Sequence, residues 1–312
     1  MALPRCSTPR NVYIDAGVNW CNTLEMYKQV PEASSRLNSP WMVFGFEASP
    51  RIAPFADRCA QALSAGEPMP TPPVPPAGSS RELAKYAHTQ NCSMEQLGLR
   101  PKSEHDRKLY RRQRLVPCML SALEEKLAAL HVDPRLSANA SLLKDRLDIA
   151  RACAPPFRSS FVLLPAAVGE QDGSMSLFDG PEFMVTGGAT HQFRARSKRA
   201  ERHSVSQVDL SSWLRSSFTE DDFVILKLDV EGGEHRIVPK MVADGTLKLV
   251  DVFLWECHFM PADQHSKCHH LLKKLRDGGV KTIYEDPYPW TGRGKAAKRK
   301  AKGGRRGGRS QL

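Results

Sequence analysis

Short apolar runs that end in a carboxylate recur along this chain and alternate with stretches of helical spacing. One run, at residues 12–14, leads into Asp15 and Gly17, and a largely apolar run at residues 223–228 leads into Asp229. Runs of this length are typical of buried strands, and their alternation with helices predicts a parallel sheet covered on both faces. In such a sheet these junctions lie at the carboxyl ends of strands, where ligands bind.

The same patterns predict the remaining elements. Asn22 and Thr23 supply capping side chains for a first helix that should end before Pro31. The predicted strands are residues 12–15, 41–46, 161–164, 175–178, 223–229, 250–256 and 280–284. The predicted helices are residues 22–30, 80–96, 109–130, 136–152, 208–214 (a helix or turn), 232–243 and 263–277.

Changes in composition divide the chain into four parts. Residues 1–53 and 156–290 carry the strand–helix alternation and form two parts of one domain. Residues 54–155 contain a proline-rich stretch and helical patterns, which predict an insertion that acts as a cap. Residues 291–312 form a basic tail that cannot bury apolar surface and is expected to be disordered.

The net charge of +11 belongs to the tail rather than to the rest of the chain. The tail holds nine basic and no acidic residues, which leaves 36 basic against 34 acidic side chains elsewhere. We therefore expect any non-specific binding to nucleic acid, or to an acidic surface, to use the tail.

Cysteine usage and hydropathy bear on the compartment. The eight cysteines are scattered without a C-x-x-C pair, which favours reduced thiols over a disulfide framework. The chain shows no run of 18 uncharged apolar residues, and its first ten residues show no secretory signal. The expectation is a cytoplasmic protein without a transmembrane segment, or a nuclear one because of the tail.

Four motifs in order carry a resemblance to a known family. They are residues 15–19, residues 46–50, residues 226–232, and Glu256 with His258. Together they resemble the FkbM-type methyltransferases over residues 11–50 and about 158–288. The resemblance implies a Rossmann-like class I fold that uses S-adenosylmethionine, with a mostly parallel seven-stranded sheet and an antiparallel hairpin at one edge.

The cofactor residues are expected at the first two strand ends. Gly17 lets the backbone approach the ligand, Asp15 can serve the ammonium group, and Asn19 belongs to the same turn. Glu47 ends the second strand, where a carboxylate can accept hydrogen bonds from ribose hydroxyls. Ala167, with Ala166, could line the adenine. Cys21 stands where a nucleotide-binding turn usually has a third glycine, and this difference argues against high affinity for the cofactor.

The reaction residues are expected at the later strand ends. Asp229, Glu231, Glu256 and His258 are candidates for the base that deprotonates a hydroxyl acceptor, on a small molecule or carbohydrate. Alternatively, Asp229 with Glu231 or Glu256 could hold Mg²⁺. The cysteines and histidines at residues 257–270 lack the paired spacing of a zinc site, so no metal ligands are assigned there.

Two other classes of function compete with an O-methyltransferase. A catalytically inactive Rossmann-like module could bind nucleic acid through the tail, and Cys21 favours that alternative. The joint presence of Asp15, Glu47 and Asp229 opposes it. A nicotinamide oxidoreductase is disfavoured because no G-x-G-x-x-G occurs at the first turn.

Overall fold

The structure is a computed structural model that describes residues 8–71, 139–151, 157–179, 201–258 and 264–285. The predicted helices at 80–96 and 109–130, most of the predicted insertion and the basic tail lie outside these residues. Nine strands occur in the described part: β1 (Asn11–Ala16), β2 (Trp41–Phe46), β3 (Ser160–Leu164), β4 (Ala167–Gly169), β5 (Gly173–Asp179), β6 (Glu201–Asp209), β7 (Phe223–Leu228), β8 (Val252–Trp255) and β9 (Thr282–Glu285).

Six of these strands form one parallel sheet in the order β3-β2-β1-β7-β8-β9. The strand order reverses between β1 and β7, which makes the carboxyl ends of these two strands the topological switch point. Both faces of the sheet are covered by buried side chains, as the continuous apolar runs predict. Residues 12–16 of β1 are completely buried.

The antiparallel strands form a separate small sheet in the described residues, with the order β4-β6-β5. β5 and β6 pair antiparallel, and β4 pairs parallel with β6. In the part of the chain that the structure describes, six parallel strands and this second sheet stand in place of the expected seven-stranded sheet with an edge hairpin. Sequence patterns did not predict β6, because polar residues surround Val205 and Val208 and dilute its apolar signal.

The helices in the described residues are α1 (Ala53–Ala65), α2 (Ala140–Ile149), α3 (Leu210–Ser217), α4 (Glu234–Ala243) and α5 (Gln264–Asp277). The side chains of Asn139 and Asp209 cap α2 and α3 by accepting from backbone N–H groups of the first turn. α2 to α5 fall within or close to predicted helices. The helix predicted at residues 22–30 is wrong: short 3₁₀ turns cover Met26–Gln29 and Pro31–Arg36. Cys21, just before this segment, has a φ of +69°, which lies outside the right-handed helical region.

α1 belongs to the core, although the predicted boundary at residue 54 assigned it to the insertion. Phe55 and Cys59 are completely buried among residues that cover one face of the sheet. α1 also packs against β3, where the Ser64 hydroxyl accepts a hydrogen bond from the backbone N–H of Phe161 at 2.8 Å. An insertion that leaves this core intact would therefore begin after α1.

Two disulfides join Cys21 to Cys59 and Cys257 to Cys268. The expectation of reduced thiols is wrong for these four cysteines, because the fold brings together residues 38 and 11 positions apart. Disulfides persist in oxidising compartments, so cysteine usage no longer supports a cytoplasmic location. Among the described residues, no helix is long and apolar enough to cross a membrane.

A buried ion pair joins the starts of the two central strands, at the opposite end from the switch point. The Arg10 guanidinium donates to both carboxylate oxygens of Asp222, at 3.0 and 2.7 Å, and both side chains are about 2% exposed. Burial acts to raise the pKa of Asp222, but hydrogen bonds from Arg10 and Thr219 outweigh it and hold that pKa below its usual value.

Candidate functional site

A cavity of about 480 Å³ opens at the switch point, within the size range of small-molecule sites. The sheet hydrogen bonds continue one residue past the strands: the N–H of Asp229 donates to Ala16 at 3.0 Å, and that of Glu256 donates to Leu228 at 3.1 Å. This continuation fixes the backbone of the residues that follow each strand. The cavity walls include Gly17, Asn19 and Glu47 on one side and Asp229 with Glu231 on the other.

Glu47 holds the turn after β1 against the end of β2. One carboxylate oxygen accepts from the backbone N–H of Asn19 at 2.9 Å, and the other accepts from that of Ser49 at 2.8 Å. The residue is 7% exposed and lines the cavity. These contacts fix the position of the Glu47 carboxylate in the cavity wall, and a carboxylate oxygen can accept more than one hydrogen bond.

Asn19 contributes a buried acceptor to the same wall. Its φ of +53° is uncommon for a residue other than glycine, and the turn holds it in this conformation. Its side-chain oxygen is buried without a hydrogen-bond partner among the described residues. Because this oxygen belongs to a cavity wall, a ligand or water in the cavity that donates to it would satisfy it.

Gly17 is required by the chain itself. A Cβ at this position would lie 1.9 Å from the backbone oxygen of Asp229, and the φ of +96° disfavours other residues. The glycine therefore allows the turns after β1 and β7 to approach each other. This is a different reason from the ligand approach that the sequence suggested, although Gly17 also lines the cavity.

Asp15 does not line the cavity, in contrast to the expected contact with the cofactor. It is completely buried and accepts from the Thr23 hydroxyl at 2.6 Å, while its other oxygen lies 3.1 Å from Lys227 Nζ. Burial raises the pKa of Asp15, and the Lys227 charge and the Thr23 hydrogen bond oppose that rise. Its contacts with Thr23 and Lys227 hold parts of the fold together and lie away from the cavity.

Lys227 links the two sides of the site, and the sequence interpretation missed it. Its ammonium group donates to the backbone oxygen of Gly17 at 2.8 Å and lies 3.5 Å from Asp229 Oδ2. Burial opposes the charge, but Asp15 and Asp229 outweigh it and raise the pKa of Lys227. The available signal was a lysine inside an otherwise apolar strand, which requires a buried anionic partner.

Ala166 and Ala167 lie on the cavity wall, where the sequence interpretation placed them. Cys21 does not line the cavity; its disulfide instead ties the turn after β1 to α1. The cysteine that stands in place of a third glycine therefore has a structural role, and it lends no support to an inactive protein.

The structure brings the four expected reaction residues together. The Nε2 atom of His258 lies 3.7 Å from an oxygen of Asp229, 3.6 Å from one of Glu231 and 4.0 Å from one of Glu256. The side chain of Glu256 is 43% exposed, whereas the other three side chains are 12–25% exposed. Asp229 and Glu231 form the cavity wall on this side.

Glu234 orients this cluster from behind. Its carboxylate accepts from the backbone N–H groups of Val230 and Gly232, both at 2.9 Å, and lies 2.9 Å from His258 Nδ1. It is completely buried at the start of α4, where an acidic side chain is also favoured by the helix dipole. Glu234 therefore holds both the turn after β7 and the imidazole ring.

Local charges shift the pKa values of His258 and Glu231. Burial opposes a charge on His258, but its hydrogen bond to Glu234 and the nearby carboxylates raise its pKa to about 10. Burial, assisted by the neighbouring acidic groups, raises the pKa of Glu231 to about 7, although His258 opposes the rise. A carboxylate with a pKa near neutrality is suited to accept a proton from a substrate.

Comparison with known proteins gives a family match for one segment of the chain. Residues 139–281 match the family model described as the methyltransferase FkbM domain. Neither a search of curated proteins nor one of solved structures gave a significant match. The matched span includes Asp229, Glu231, Glu256 and His258, whereas Glu47 and the turn after β1 precede it. The resemblance inferred from the motifs is thus confirmed as a match to the FkbM methyltransferase domain over residues 139–281.

Proposed function

We propose that this protein is a methyltransferase that transfers the methyl group of S-adenosylmethionine to a hydroxyl oxygen of a small molecule or carbohydrate. The match to a methyltransferase domain supports the reaction class. The observation that carries the proposal is one cavity, at the switch point, with cofactor-type acceptors on one wall and the Asp229 and Glu231 carboxylates on the other. His258 does not line the cavity and lies behind these two carboxylates, at 3.7 and 3.6 Å from them.

The residues of the first wall suit the methyl donor. Glu47 would accept hydrogen bonds from ribose hydroxyls, and the buried oxygen of Asn19 would accept from another donor of the ligand. Ala166 and Ala167 supply a small apolar surface for adenine. Asp15 would act indirectly, because it holds Lys227, which in turn contacts Gly17 and Asp229.

The second wall suits a hydroxyl acceptor. In methyl transfer the acceptor oxygen forms a bond to the methyl carbon, the carbon–sulfur bond breaks, and its electron pair stays on sulfur. Because a neutral thioether leaves, the main tasks of the protein are to position the oxygen and to take its proton. We assign proton removal to the carboxylates of Asp229 and Glu231, with Glu256 at the rim. His258 orients them.

Isothermal titration calorimetry tests the proposal with S-adenosylmethionine, S-adenosylhomocysteine and NAD on the full chain. The first two should bind and NAD should not. Glu47→Ala should weaken S-adenosylhomocysteine at least about tenfold, because each hydrogen bond to a charged acceptor contributes about 1.5–3 kcal/mol. Glu220→Ala is the control, since this exposed carboxylate precedes β7 and does not line the cavity.

The results separate the competing classes of protein. Unchanged affinity in a correctly folded Glu47→Ala variant would remove the cofactor-site assignment. Binding of nucleic acid without binding of either methionine derivative would favour the inactive module. NAD binding would favour an oxidoreductase. Two predictions from the sequence are separate from this test. One is that the basic tail binds nucleic acid or an acidic surface, and the other is that the insertion forms a cap.

A further inference from the structure

The reaction cluster has the form of a metal-binding site. One oxygen from Asp229, one oxygen from Glu231 and one nitrogen of His258 lie within 4.8 Å of one another. An oxygen of Glu256 lies 4.0 Å from the same imidazole nitrogen, at the exposed side of the cluster. These groups reach the cluster from the ends of β7 and β8, so the sheet fixes their relative positions.

The distances match a shared ion better than direct hydrogen bonds. The separations of 3.6 and 3.7 Å between His258 Nε2 and the carboxylate oxygens exceed the usual hydrogen-bond range. Two ligand atoms that each lie ~2.1 Å from a metal ion are roughly 3.0–3.4 Å apart. Shifts of a few tenths of an ångström would therefore bring His258 Nε2 and each of the two carboxylate oxygens to the separation of two ligands of one ion.

The groups behind the cluster are arranged as in metal sites. A metal-bound histidine usually donates its other ring N–H to a carboxylate, which fixes the ring and its tautomer. Glu234 is in that position, completely buried and 2.9 Å from His258 Nδ1, which leaves Nε2 directed at the carboxylates. Asp229 is held in a similar way, because Oδ2 faces Lys227 while Oδ1 faces His258.

The backbone conformation of Glu231 also positions one of these groups. Glu231 has a φ of +51°, a left-handed conformation that few residues other than glycine adopt. Strain of this kind concentrates at functional sites, where the surrounding structure maintains it. Here the N–H groups on either side of Glu231, those of Val230 and Gly232, donate to Glu234, so the same carboxylate that orients His258 also holds this turn.

We propose that Asp229, Glu231 and His258, with Glu256 at the rim, bind a divalent transition-metal ion such as Mn²⁺, Fe²⁺ or Zn²⁺. Imidazole together with carboxylates suits these ions, whereas Mg²⁺ prefers oxygen ligands alone. The Mg²⁺ site considered from the sequence is thereby replaced by a mixed nitrogen and oxygen site. Its role rests on the proposed function: with the ion bound, Asp229 and Glu231 would serve as its ligands rather than as the base, and the ion would bind the acceptor hydroxyl and make it more acidic.

Binding of the metal alone tests the site without an acceptor. The full chain, treated with chelator and kept oxidised, is titrated with MnCl₂ and followed by electron paramagnetic resonance. One Mn²⁺ per chain should bind, with a pulsed-resonance coupling to imidazole nitrogen. Zn²⁺ should displace Mn²⁺, and Mg²⁺ at the same concentration should not.

Variants assign the ligands. Glu231→Gln should weaken Mn²⁺ at least about tenfold, in line with the effect of losing even a supporting group of a metal site. His258→Asn should remove the nitrogen coupling. His269→Ala is the matched control, because this histidine is exposed on α5 and should change neither result. Circular dichroism of each variant verifies that it folds.

The outcomes distinguish this inference from the proposed function. Affinity weaker than about millimolar for both Mn²⁺ and Zn²⁺, or nitrogen coupling that persists in folded His258→Asn, overturns the metal site. Unchanged Mn²⁺ affinity in folded Glu231→Gln does the same. S-adenosylhomocysteine binding by the metal-free protein would then leave the methyltransferase proposal intact. Metal binding without any S-adenosylhomocysteine binding would support the site and contradict the proposed function.

Discussion

Replacement of Lys227 by methionine should destabilise the protein more than any surface change. The ammonium group is completely buried and faces Asp15, which is also completely buried, at 3.1 Å. Methionine keeps much of the aliphatic length but leaves the Asp15 carboxylate without its cation. Among the described residues, the Thr23 hydroxyl is the side-chain donor that remains for that carboxylate.

The magnitude follows from the cost of an uncompensated buried charge. Loss of one partner of a buried ion pair typically costs about 3–5 kcal/mol of unfolding free energy. Asp15→Asn in the same chain removes the orphaned charge and keeps an acceptor for Thr23. The double variant should therefore be more stable than Lys227→Met alone by at least about 1 kcal/mol, the scale on which contacting residues couple.

Urea denaturation of the oxidised protein measures these differences as shifts in the unfolding midpoint. Lys248→Met is the control, because this lysine pairs with Glu220 at the surface, where such pairs contribute about 0–1 kcal/mol. A loss for Lys227→Met no larger than that of the control would refute the buried-pair argument. So would a double variant less stable than Lys227→Met. Asp15→Asn alone should leave S-adenosylhomocysteine affinity within about threefold, whereas a tenfold loss would restore the direct cofactor contact inferred from sequence.

Three further predictions concern chemistry, acid stability and organisation. Asp229→Asn should lower the rate of S-adenosylhomocysteine formation by about 10²–10⁴-fold with a hydroxyl acceptor found by screening, the usual contribution of a general base; near-normal turnover would exclude it as base or metal ligand. The lowered pKa of Asp222 contributes stability that is present above the ordinary aspartate pKa of 3.8 and is lost as pH falls through the lower pKa of the folded protein. Asp222→Asn should therefore be less stable at neutral pH, and its unfolding free energy should fall less steeply as the solution is acidified. An unchanged dependence of stability on acid pH would contradict this. Replacement of residues 72–138 by a short flexible linker should preserve binding of S-adenosylhomocysteine, measured by calorimetry, because the cavity and α1 lie outside that segment. Methylation of the acceptor should be lost, because the segment is predicted to act as the cap. Loss of folding would instead make the segment part of the core.

The strands with continuous apolar runs could be predicted closely. β2 occupies Trp41–Phe46, the residues predicted from its run, and β1 and β7 differ from prediction only at their ends. These strands are buried on both faces, so most of their positions carry the same apolar signal. β6 could not be predicted in this way, because it lies in a small sheet and its nine residues contain few apolar positions.

The candidate site was predictable in its residue types and only partly in its contacts. Parallel strands end at the same edge, so carboxylates that follow β2 and β7 were expected near one cavity, and Glu47 and Asp229 lie there. The direction of each side chain depends on the neighbouring backbone. Asp15 therefore points into the protein towards Lys227, although it shares a strand end with cavity residues.

Local patterns along the chain were sufficient to determine the parallel α/β class and the strand ends that carry polar groups. The tertiary structure decided which cysteines pair, that α1 belongs to the core, and how Lys227 and Glu234 position the site. The physical reason is one of range. Strand and helix signals arise from residues a few positions apart. The disulfides and the Lys227–Asp15 pair instead join residues from 11 to 212 positions apart, whose approach is set by packing of the whole sheet.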